Sequence, residues 1–68
     1  MLSNETWNIL VANGKKEYEP MLGKYYRDKE SGFVGEAYNY TLCGQLFLRN
    51  GKGYITAWAK NCEEVAKP

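Results

Sequence analysis

The chain has 68 residues, with nine Lys and Arg against eight Asp and Glu, a formal net charge of +1, and no histidine. That length suffices for one hydrophobic core and a single domain spanning 1–68, and the near-neutral balance excludes both the basic stripe of a phosphate-backbone binder and the acidic excess of a DNA mimic. A hydrophobic share of 44% excludes disorder along the whole length, and an aromatic share of 15% favours pleated, half-buried surfaces over helices.

The N-terminal run Met1-Leu2-Ser3-Asn4-Glu5-Thr6 lacks a basic region followed by an apolar one, so no secretory signal is expected and Met1 points to the cytoplasm. Thr6 to Ala12 places Trp7, Ile9 and Val11 at period two and runs into Asn13-Gly14, the strongest short hairpin signal. A type I′ turn there predicts an amphipathic hairpin, with Trp7, Ile9, Val11 and Tyr18 on one face, ending at Pro20, which has no N–H to donate.

Met21 to Arg27 is the next predicted strand. The charged turn Asp28-Lys29-Glu30-Ser31-Gly32 follows, and then a strand over Phe33 to Leu42. Pairing across that turn sets Lys24 opposite Glu36 and Tyr26 opposite Val34, with Gly35 marking a bulge or bend. Gly44 to Arg49, the turn Asn50-Gly51-Lys52-Gly53, and Tyr54 to Ala59 form a second hairpin. Strand parity puts Leu46, Leu48, Ile55, Ala57 and Ala59 on one face, and Gln45, Phe47, Arg49, Tyr54, Thr56 and Trp58 on the other. Asn61, with Glu64 three residues on, predicts a short C-terminal turn of helix over Cys62 to Lys67. The expected fold is therefore mainly β: a small five-stranded antiparallel sheet or open barrel of SH3 or OB size, made of hairpins.

The residue types that carry chemistry are sparse. Without histidine a Ser-His or Cys-His pair is impossible within one chain, and two cysteines fall short of a zinc site, so no catalytic residue, metal or cofactor is expected. Glu36, alone in an apolar strand, is read as paired with Lys24 or facing solvent rather than as a general base. Cys43 is read as a small buried residue. Cys43 and Cys62 fall at the same end of the second hairpin, where reduced thiols are expected ahead of a bridge.

What remains is aromatic. Phe47, Arg49, Tyr54 and Trp58 share a strand face, and Tyr38-Asn39-Tyr40 is expected to send both rings to one side. These six residues, Tyr38, Tyr40, Phe47, Arg49, Tyr54 and Trp58, are the candidate binding residues. Tyr, Trp and Arg dominate protein-binding hot spots, and the same rings could stack bases. The plainer reading is a second core layer covered by tyrosines or by the first hairpin. The expected function is a non-enzymatic protein-binding module, accessory or inhibitory, with a protein partner, scope for self-association and no membrane span. The alternative is a single-stranded nucleic-acid binder in which Lys52, Lys60 and Arg27 track the backbone.

Overall fold

The computed structural model describes residues 4–68; the reading of the N-terminal run rests partly on residues 1–3, which lie outside the described residues. Helix α1 spans Asn4–Tyr18 and is followed by a 3-10 turn, Glu19–Met21. Five strands follow: β1 Tyr25–Asp28, β2 Val34–Tyr40, β3 Gln45–Asn50, β4 Gly53–Trp58 and, after a second 3-10 turn Ala59–Asn61, β5 Cys62–Val65. All pairings are antiparallel, in the order β4-β3-β2-β1-β5.

The expected first hairpin is a helix. Trp7, Leu10, Val11, Gly14 and Tyr18 recur at helical spacing, so the segment that alternates at period two also makes a helical stripe. Glu5 in the first turn and Lys15 and Lys16 in the last complement the helix dipole. Asn13-Gly14 does not turn the chain. Gly14 is buried, and a Cβ on it would come within 2.6 Å of Leu42 Cδ2, so the missing side chain lets the helix settle on the β2–β3 turn. That close docking offsets the cost, about 1 kcal/mol, of glycine inside a helix. Tyr18 packs on Tyr40 with ring centroids 5.9 Å apart, and the Tyr40 hydroxyl donates to Glu19 Oε2 at 3.4 Å. Pro20, lacking an N–H, stops the α-helix at the start of the 3-10 turn.

The second hairpin agrees with the sequence reading in its strands and faces. Leu48 opposes Ile55 and Leu46 opposes Ala57, and Tyr26, Ala37, Leu46, Leu48 and Ala57 form the core on one face of the sheet. Asn50 pairs with Gly53, which leaves Gly51 and Lys52 as the turn. The β1–β2 register is one residue away from the expected one: Tyr25 opposes Glu36 and Tyr26 opposes Gly35. The bulge falls between Ala37 and Asn39, not at Gly35.

The expected C-terminal helical turn is strand β5. Its pairing with β1 is fixed by side chains as well as by the ladder: Arg27 bonds Glu63 and Lys24 lies 3.8 Å from Glu64. β4 and β5 sit at opposite edges of the sheet, yet only Ala59–Asn61 joins them. In a flat sheet those edges would be about 19 Å apart, four strand spacings, whereas the chain from Trp58 to Cys62 reaches at most about 14 Å. The sheet therefore curls around its core face. Two bonds hold the short connection: the Ala59 N–H donates to Gly44 O and the Lys29 N–H to Asn61 O, both at 2.9 Å. Strands β4 and β5 do not pair with each other.

Candidate functional site

The outer face of the curled sheet is built from alternate residues of all five strands. The pairs Gln45–Trp58, Phe47–Thr56 and Arg49–Tyr54 bring β3 and β4 together, and Glu36 lies opposite both Arg49 and Tyr25. None of these residues is buried. Among the described residues no layer covers the face: the first segment, expected to do so as a hairpin, is α1, which docks at one end of the sheet instead. The expectation of a second core layer is thus corrected. Tyr54 is 75% exposed and Trp58 44%, large values for aromatic side chains in strands.

Of the six candidate residues, five share this surface. Tyr38 meets Phe47 at 6.0 Å between ring centroids, and the Arg49 guanidinium sits 4.8 Å from the centre of the Tyr38 ring. Arg49 also lies 3.5 Å from Glu36, so the carboxylate expected to pair with Lys24 or to face solvent forms an ion pair with an arginine instead. Tyr40 is the exception. The bulge after Ala37 shifts the alternation, so Tyr40 opposes Leu46 on the core face and packs on Tyr18. Tyr38 and Tyr40 therefore point to opposite sides, and Tyr40 belongs to the helix-docking seam.

The charges on this face are largely satisfied within it. Arg27 is hydrogen-bonded to Glu63, and Arg49 is ion-paired with Glu36. Lys60 Nζ lies 5.9 Å from the Trp58 ring, while Lys52 stands in the β3–β4 turn.

Beside the face, a groove of about 370 Å³ runs between the end of α1, the β2–β3 turn and the second 3-10 turn, lined by Tyr18, Met21, Cys43, Trp58 and Lys60 among others. Sequence reasoning missed this groove, whose α1 wall is Glu17 and Tyr18; the helical spacing of Trp7, Val11, Gly14 and Tyr18 was the signal that would have placed those two on a helix. Cys43 is exposed rather than buried, Cys62 is half-buried at the start of β5, and the two are unbridged. Burial, and next the Asp28 carboxylate, push the Cys62 thiol pKa up, which works against thiolate chemistry there.

Asp28 organises the charged turn. Its carboxylate accepts from the Ser31 hydroxyl at 2.7 Å and from the N–H groups of Glu30 and Ser31 at 3.2 and 3.3 Å. These bonds, the Ser31 hydroxyl first, hold its pKa below the usual carboxylate range although it is buried. The turn is thus an internally bonded cap. Among the described residues no group of three or more His, Cys, Asp or Glu is placed to hold a metal ion, and no helix is long and apolar enough to cross a membrane. No family model, curated protein or solved structure matches this chain.

Proposed function

We propose that this chain is a non-enzymatic protein-binding module that engages a protein partner through Tyr38, Phe47, Arg49, Tyr54 and Trp58, as a small accessory or inhibitory protein of the cytoplasm. One observation carries the reading: an uncovered sheet face bears Tyr54 and Trp58 in the open, with Tyr38, Phe47 and Arg49 already packed beside them. Rigid aromatic rings contribute large contact area at small entropy cost, and Arg is a frequent hot-spot residue. The curled sheet, read as a small open barrel, serves as the scaffold. Two free cysteines, one of them exposed, suit a reducing compartment.

Single-stranded nucleic acid is the second reading, favoured by the open Trp58 and Tyr54 rings with Lys60 alongside. The ion pairing of Arg27 and Arg49 weighs against it, since cations committed to carboxylates displace few counterions from a phosphate backbone.

A photoreactive phenylalanine analogue placed at Tyr54 and irradiated in the protein's native cells tests both. The expected product is a discrete adduct that protease removes and nuclease does not, and that disappears in the Trp58→Ala background. A nuclease-sensitive adduct would transfer the assignment to nucleic acid. No adduct from position 54, with one from position 29 in the distant turn, would overturn the choice of surface.

A further inference from the structure

The hydrogen-bonding phase of the β3–β4 ladder determines which main-chain groups of β4 are free. Asn50 and Gly53 close a hairpin around two turn residues, so they form a hydrogen-bonded pair, and the alternation then makes Leu48–Ile55 and Leu46–Ala57 bonded pairs as well. The Ala59 N–H donating to Gly44 O keeps the same phase one step further. The N–H and C=O groups of Tyr54 and Thr56 and the N–H of Trp58 therefore point away from β3, along an edge with no neighbouring strand among the described residues, while the Trp58 C=O caps the second 3-10 turn. The side chains of these same three residues are exposed on the outer face.

An open edge is a template for another strand, and proteins usually blunt it with charge, proline or a bulge. The two edges of this sheet are treated differently. β5 carries Glu63 and Glu64, ion-paired to Arg27 and Lys24. β4, Gly53–Trp58, has no charged residue, no proline and no bulge. Immediately beyond its two ends stand Lys52 and Lys60, which have no ion-pair partner among the described residues, and neither β3 nor β4 contains an acidic residue. Glu17 lies across the groove from Lys60 without an ion pair to it. In an antiparallel pairing of β4 with a second copy centred on Thr56, each Lys52 would approach the other copy's Lys60, and like charges there oppose self-pairing.

Resting on the reading of this chain as a protein-binding module, we propose that β4 takes up an extended segment of the partner as a sixth strand. That segment bonds to the main chain of Tyr54, Thr56 and Trp58 and carries acidic residues at its two ends, facing Lys52 and Lys60. Apolar or β-branched side chains between them lie against the Tyr54 and Trp58 rings. Main-chain bonds supply affinity in such strand addition, and the alternate side chains and end charges supply selectivity.

The test uses two blocked nine-residue peptides, with threonine and valine alternating between the end residues so that valine faces Tyr54, Thr56 and Trp58, one ending in glutamate at both ends and the other in lysine. Amide hydrogen exchange and chemical shifts are followed by NMR on the full chain. The glutamate peptide is expected to slow exchange at Tyr54, Thr56 and Trp58, and the lysine peptide to bind about tenfold more weakly. Thr56→Pro removes an outward N–H at a position where an edge strand tolerates proline, and is expected to abolish the protection while the spectrum of β1, β2 and β3 is retained. The double variant Lys52→Glu, Lys60→Glu, which leaves the strand untouched, should reverse the preference between the peptides. Unslowed exchange at those three amides, equal binding of both peptides, or a β4-mediated dimer in sedimentation would overturn the proposal. A protein adduct from position 54 that persists in Thr56→Pro would leave the outer face as the binding surface and remove only strand addition.

Discussion

The side chain that Gly35 lacks would point into the backbone of Arg49: a Cβ there would lie 2.6 Å from Arg49 O and 2.9 Å from its N and C atoms. Backbone in the middle of a ladder cannot rotate aside as a side-chain tip can. Glycine is required at this position because the backbone of Arg49 in β3 lies so close to β2. Gly35→Ala is expected to cost about 3 kcal/mol, at the upper end of overpacking penalties. Because a domain of this size has about 3–10 kcal/mol in total, the variant should unfold at markedly lower urea, or not fold at all. A midpoint equal to that of the parent would refute the close approach.

The β3–β4 turn separates two glycines that look alike in sequence. Gly53 has φ +148°, whereas Gly51 is not among the positive-φ residues, and a Cβ on either meets nothing within 4 Å. Gly53→Val should therefore cost about 1–3 kcal/mol in backbone strain, and Gly51→Val less than about 0.5 kcal/mol. Thermal melts of the two variants read the difference directly, and a reversed order would refute this assignment of the turn residues.

Leu48 is fully buried and Trp58 is open to solvent. Leu48→Ala is expected to lose about 2–4 kcal/mol by removing buried methyl groups and leaving a cavity. Trp58→Ala and Tyr54→Ala should each change stability by less than about 1 kcal/mol, as expected of exposed positions. Denaturant titration of the three variants distinguishes surface from core. An unfolded Trp58→Ala chain would mean that the outer face is a packing layer after all.

The bonds to Asp28 make a pH signature. Its carboxyl pKa is lower in the folded chain than in the unfolded one, so its contribution is fully present above the unfolded carboxylate pKa, about 3.9, and is lost as pH falls through the lower folded value. Asp28→Asn is expected to cost about 1 kcal/mol at pH 7. The gap between the variant and the parent should narrow progressively below about pH 4. A gap that is constant with pH would remove the ionised form from the account.

The β3–β4 hairpin was legible in the sequence because its partners are close along the chain, and the β1–β2 pairing was legible in outline, with its register one residue off. Gln45 to Trp58 alternates cleanly around a glycine-rich turn, and both of its faces could be assigned from parity alone. The charged turn at Asp28 was legible for the same reason. Three features were not. Trp7 to Tyr18 satisfies both the strand and the helix period, and the decision rests on Leu42 and Tyr40 lying where a helix with glycine at position 14 can dock. Cys62 to Val65 has a sequence that caps a helix equally well, and its strand form depends on β1, a partner far away in the chain. The bulge after Ala37 leaves no local mark, yet it sends Tyr40 inward and so removes one of six candidate residues from the surface.

The Arg27–Glu63 pair joins residues 36 apart in the chain, whereas the β3–β4 ladder grows outward from a turn of two residues. A hairpin of that kind assembles in about 1–10 μs, while bringing β5 back to β1 must first overcome the entropy of closing a long loop. Folding therefore has a fast beginning and a late completion, with β1 left without its outer neighbour until the final strand arrives. During that interval the nascent sheet has two open edges, and crowding by other copies competes with the chain's own last strand for the second of them.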